Sequence, residues 1–152
     1  MGVVVRALLT TLLACVLLAC VNAGALANTA PPCSAGCDVP VGTYRGHNDQ
    51  GKEVQVHVAV GHLKSGPHIV ATVHVITHFR TEYTVDCGTH KAINRIDTTH
   101  WGHINGVSGH LRYGENSMHA LWAPGEPIVG AASLKSRSCA GTTHFTLHRV
   151  AP

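Results

Sequence analysis

Charge is scarce in this sequence. Asp, Glu, Lys and Arg make up only 12% of the 152 residues, and Phe, Trp and Tyr only 5%. Lys and Arg nowhere cluster, which argues against the basic stripe that marks a nucleic-acid partner. The eight acids, Asp38, Asp49, Glu53, Glu82, Asp86, Asp97, Glu115 and Glu126, are scattered, and nothing singles out two of them as the paired carboxylates of a glycosidase. No serine sits in a G-x-S-x-G elbow, since Gly106-Val-Ser108-Gly109 lacks the spacing. A G-x-G-x-x-G phosphate loop and internal repeats are also missing. With no nucleophile or acid/base constellation in view, the chain reads as a non-enzyme.

The one long apolar run lies at the start. Arg6 precedes Ala7 to Val21, and small residues follow with two Ala-x-Ala-like signals, Ala23-Gly24-Ala25 and Ala25-Leu26-Ala27. That order is the plan of a secretory signal peptide, assigned to residues 1–27. A rival reading uses Leu17-Leu18-Ala19-Cys20, which is similar to a bacterial lipobox. Lipidation of Cys20 would then tether the protein to the outer membrane. Either way the chain is expected to be exported, to the periplasm or the cell surface, with membrane contact only through Cys20. The remaining residues, about 125, suffice for one domain with one core. Removing Arg6 leaves ten basic residues against eight acids, a net charge of +2 with His neutral.

Export bears on the cysteines. Cys33, Cys37, Cys87 and Cys139 lie beyond the leader, and an even number in an oxidising compartment favours disulfides. Three pairings exist, and sequence alone does not choose among them. The pairing expected is Cys33–Cys37 with Cys87–Cys139: the first closes a short flexible loop, the second a long one worth about 4 kcal/mol in the chain-entropy model. Two other roles for Cys87 fit the residues less well. A nucleophile paired with His90 lacks an orienting group, and Asp86 beside it would raise the thiol pKa. Zinc would want a second regular Cys/His pair, which Cys33-x-x-x-Cys37 with Cys87-x-x-His90 only loosely imitates.

Along the chain, residues 28–40 read as a flexible Pro- and Cys-containing lead-in, and residues 41–152 as a single β-rich domain. Asn48-Asp49-Gln50-Gly51 is turn chemistry. Val54, Val56, Val58 and Val60 alternate with Gln55, His57 and Ala59, the period of a strand with one apolar face. Residues 61–67 read as a turn region, and 68–79, 80–86, 91–97 and 142–150 as strands. Residues 100–117 read as loop with a short strand, 118–122 as a short apolar piece, and 128–138 as one short helix. The expected fold is mostly β (α+β): an antiparallel sheet of about six strands with one short helix near the C-terminus. An exposed edge of such a sheet is a route to a homodimer.

Thirteen histidines are the compositional outlier. His74 with His78, and His144 with His148, stand four apart. On a strand such pairs share a face about 13 Å apart, too far for one metal to bridge. A site for zinc, copper or haem at His74, His78, His144 and His148 would need histidines from neighbouring strands, where opposite residues sit about 5 Å apart. Register is invisible in a sequence. His100-Trp101-Gly102-His103 is a separate cluster. Imidazoles as a class titrate between pH 5 and 8, so acidification is expected to tighten association with acidic surfaces or glycans.

The run from Tyr83-Thr-Val-Asp86-Cys87 through Arg95, Gly106 and Trp122-Ala-Pro124-Gly125 to Cys139 resembles the surface-adhesin protein E-like family of exported bacterial proteins. The likeness covers about half of the chain beyond the leader. It rests on an Asp-Cys at a strand end, a Trp before Pro-Gly and a second Cys near the end. The resemblance implies an antiparallel sheet with an attached helix, a Cys87–Cys139 disulfide, and binding rather than catalysis. Family members with named ligands bind host matrix proteins and plasminogen; no ligand is carried over to this chain. Two functions are therefore expected: a disulfide-stabilised binding or adhesion module for a host or envelope macromolecule, or a periplasmic metal- or haem-binding protein that uses clustered histidines.

Overall fold

The computed structural model of the chain describes residues 33–123 and 125–150. The expected leader at 1–27 and Cys20 lie outside the described residues. Ten strands follow one another: β1 (Cys33–Ala35), β2 (Gly42–Asn48), β3 (Glu53–Ser65), β4 (His68–Asp86), β5 (Lys91–Thr98), β6 (Gly102–Asn105), β7 (Ser108–Tyr113), β8 (Asn116–Leu121), β9 (Ile128–Lys135) and β10 (Ala140–Arg149).

Eight of these strands close on themselves. The order β4-β3-β2-β10-β9-β8-β7-β6 returns to β4 through the β4–β6 pairing, giving an antiparallel barrel. Two strands lie off the ring: β1 pairs parallel with β4, and β5 pairs with the C-terminal half of β4. Closure removes the open edges that a flat sheet of these strands would carry.

The barrel wall follows from period-2 burial. Val54, Val56 and Val58 point inward from β3, Ile76 and Phe79 from β4, Leu111 from β7, Met118 and Ala120 from β8, and Phe145 and Leu147 from β10. Each is at most 4% exposed. The interior is filled by side chains, as expected of a narrow eight-stranded barrel.

Three expectations are corrected. The count is ten strands among the described residues rather than about six. Residues 61–65 extend β3, so the turn shrinks to Gly66, at φ 59°, and its neighbour Pro67. The helix expected within 128–138 is strand β9, hydrogen-bonded to β8 on one side and β10 on the other. Gly130, Ala131 and Ala132 show no strand alternation, but they let neighbours approach. A Cβ on Gly130 would sit 2.4 Å from Cζ of Phe145. Pairing on both edges overrides the local preference.

Residues 33–40, expected as lead-in, are packed against the barrel from Cys33 on. Val39 is fully buried, and its carbonyl accepts a 2.8 Å hydrogen bond from Nδ1–H of His74. Both expected disulfides form, Cys33–Cys37 and Cys87–Cys139. The second ties the end of β4 to the start of β10, where Ala140 pairs with Asp86.

Candidate functional site

A filled interior leaves the outer wall as the surface on which function is displayed. The histidines lie mostly there, and the register sorts them into two groups.

One group forms a row across β6, β7 and β8. His103 stands opposite His110, and His110 opposite His119. Beyond His119 the row continues to Ala131 on β9 and then to His144 on β10. All four histidines are exposed. The His110 and His119 rings lie 4.4 Å apart between centroids. Nε2 of His110 is 3.2 Å and Nε2 of His119 is 3.0 Å from the same hydroxyl, Oγ of Ser108. Ala131, the small member of the row, opens a depression of about 550 Å³ walled by His119 and His144, with Leu121 and Val129 as its apolar side. A second depression of about 510 Å³ is lined by Trp101, His103, His110, Arg112 and Ser133. Trp101 is 61% exposed.

The second group lies on the wall formed by β10, β2, β3 and β4. His148 pairs with Arg45, Arg45 with Gln55, and Gln55 with Arg80. In the adjacent row Thr43 pairs with His57, and His57 with His78. Arg45, His57 and Arg149 line a depression of about 380 Å³ that has no carboxylate in its lining. Arg149 donates from Nη2 to the Val41 carbonyl at 2.6 Å, which fixes its head group at the rim. The carboxylates on or beside this wall include Glu53, opposite His47, Glu82 on β4, paired with Lys52 and Arg95, and Asp97 on β5, which accepts from Nε2 of His78 at 2.7 Å and lies 4.0 Å from Nε of Arg80.

The four histidines named from sequence for a metal are not brought together. A bulge in the β3–β4 ladder pairs His57 with His78 but Val58 with Ile76, leaving Thr77 as the extra residue. Ile76 and Phe79 both point into the core, so His74 and His78 lie on opposite faces of β4. His74 is held by Val39, and His78 by Asp97. His144 and His148 do share the outer face of β10. His144 lies 3.5 Å from Asp49, and His148 stands beside Arg45. Among the described residues, no three His, Cys, Asp or Glu side chains converge into a metal centre.

The histidines that do meet, His110 and His119, were not singled out from sequence, and a signal for them was present. Gly106-Val107 and Gly114-Glu115 are two-residue links between paired strands, each with Gly first at positive φ. Gly at the first central position is a hairpin signature. Residues equidistant from such a link face each other, which sets His103 against His110 and His110 against His119.

Two carboxylates have lowered pKa values. For Asp49 the main cause is the hydrogen bond from the Thr143 hydroxyl, supported by the backbone and ring of His144. For Glu82 it is first the hydrogen bond from Lys52, then the charges of Lys52 and Arg95. Asp49 follows the end of β2 and ties it to β10, and Glu82, within β4, ties Lys52 and Arg95 to that strand. No family model, curated protein or solved structure matches the chain.

Proposed function

We propose that this chain is an exported, non-catalytic binding module that holds an acidic macromolecule of the cell envelope or a host surface against its β10–β2–β3–β4 wall. The observation that carries this reading is the depression lined by Arg45, His57 and Arg149 without a carboxylate. His148 and Arg80 extend the same wall on either side. Two guanidiniums, that of Arg149 fixed by the Val41 carbonyl, present planar, multi-donor heads suited to sulfate, phosphate or carboxylate groups.

His57, His78 and His148 add three imidazoles to this wall, and imidazoles as a class gain a proton between pH 8 and pH 5. Glu53, Glu82 and Asp97 bear the opposing charge nearby. The resemblance to the surface-adhesin protein E-like family supports a binding role on a different ground, the Asp86-Cys87 and Cys139 positions. The signal-like leader supports export.

The test is binding of the disulfide-intact protein to immobilised heparin, used as a sulfated probe, at pH 7.5 and 5.5. Retention is expected at both values and to be stronger at the lower. The double variant Arg45→Gln/Arg149→Gln should lose most of it while keeping its thermal unfolding midpoint. Binding that is flat across this range and indifferent to both arginines would overturn the reading.

A further inference from the structure

Histidines facing each other on neighbouring strands can share a ligand that neither holds alone. We propose that His110 and His119 form a chelating site for one late first-row divalent metal ion, copper(II) above all, on the outer face of β7–β8. The site is separate from the basic wall described above and does not depend on it.

Geometry supplies the first argument. The two residues are direct cross-strand partners with ring centroids 4.4 Å apart. Both turn Nε2 toward one point, the Ser108 hydroxyl, at 3.2 and 3.0 Å. Metal–imidazole bonds of about 2 Å place two adjacent donor nitrogens about 3 Å apart. The rings therefore need only small rotations about their side-chain bonds, with Ser108 giving up its place between them.

Hydrogen-bond chemistry supplies the second. A serine hydroxyl has one proton to donate, so it satisfies at most one unprotonated Nε2. The other Nε2 must donate to the serine oxygen as N–H. A metal ion takes lone pairs from both nitrogens once each neutral ring carries its proton on Nδ1, so the same two atoms serve either the serine or the metal.

Rigidity supplies the third. β7 is hydrogen-bonded between β6 and β8, and β8 between β7 and β9. The Cα positions are thus fixed before the ion arrives, which reduces the ordering cost of binding. His103, opposite His110 on β6, is the next imidazole in the row. Water supplies the remaining ligands. Imidazole donors suit copper, nickel and zinc, and copper(II) heads the affinity order for such a site.

The experiment titrates copper(II), and separately zinc(II), into the disulfide-intact protein. Calorimetry gives stoichiometry, and electron paramagnetic resonance of the copper form reports coordinated nitrogen. One tight equivalent of copper is expected, with superhyperfine structure from at least two nitrogens and weaker binding of zinc. His110→Thr and His119→Thr should each weaken that equivalent by about tenfold or more, with unfolding midpoints close to wild type. The control variant His144→Thr/His148→Thr should leave it unchanged. The proposal is overturned if no equivalent of copper binds more tightly than the rest, if both single variants retain it, or if the control pair removes it. Thr is chosen because it suits a strand position; should one variant unfold, the nitrogen count in wild type and the other variant still decide.

Discussion

Asn48 and Asp49 show how much two adjacent side chains contribute to this barrel. Asn48 is buried at 6% exposure; its Oδ1 accepts from the backbone N–H of Gln50 and Lys52, and its Nδ2 donates to the Glu82 carbonyl. Asp49 reaches across to β10, where its carboxylate accepts from the Thr143 hydroxyl and, at 3.2 Å, from the His144 backbone N–H. That hydrogen bonding holds its pKa below the ordinary value of 3.8. A carboxyl group with a depressed folded-state pKa stabilises the fold above its unfolded pKa, and the contribution is lost as pH falls through the folded value. Stability should therefore decline below about pH 4, with Glu82 contributing in the same direction. Asp49→Asn should lower the urea midpoint modestly at neutral pH and leave a shallower decline between about pH 4 and pH 2. An unchanged acid limb in the variant would contradict this. The turn itself was legible, because Asn48-Asp49-Gln50-Gly51 carries its own chemistry. The partners of Asp49 were not, since Thr143 lies ninety-four residues away.

At the scale of elements, β9 is the instructive strand. Its Gly-Ala-Ala-Ser centre looks helical or neutral, and only its neighbours make it a strand. Gly130 has no room for a side chain: an added Cβ would fall 2.4 Å from Cζ of Phe145 and 2.5 Å from the His119 carbonyl oxygen. Gly130→Ala should cost about 1–3 kcal/mol through overpacking, read as a lower denaturation midpoint with unchanged cooperativity. By contrast β3 was plain in the sequence, because its Val residues at 54, 56 and 58 keep strict alternation and all three are buried. β2 and β1 carried no such run. The histidine row was hidden for a related reason. Each member looks like a lone polar residue until two short hairpins, turned by the Gly-first links at 106 and 114, bring β6, β7 and β8 side by side.

For the whole molecule, the cross-links differ in reach. Cys87–Cys139 spans 52 residues and joins the longest strand to the last, whereas Cys33–Cys37 spans 4 and closes the loop that follows β1. Loop-closure entropy assigns about 4 kcal/mol to the first and about 2 kcal/mol to the second. Cys87→Ala/Cys139→Ala should therefore lower unfolding free energy about twice as far as Cys33→Ala/Cys37→Ala, measured by urea denaturation of each double variant. Equal losses would mean that packing at the cysteines, rather than chain closure, sets the effect. The pairing was open among three choices in the sequence; the fold sets the end of β4 beside the start of β10, where Asp86 pairs with Ala140.

The extra residue at Thr77 divides β4 into two reading frames. Before it, Ile76 points into the core opposite Val58; after it, the odd-numbered Phe79, Tyr83 and Val85 do. Excising that single threonine would turn the downstream half of the longest strand inside out, sending aromatic rings toward water and Arg80 toward the core. One inserted residue thus decides which half of the strand's side chains a partner molecule can touch.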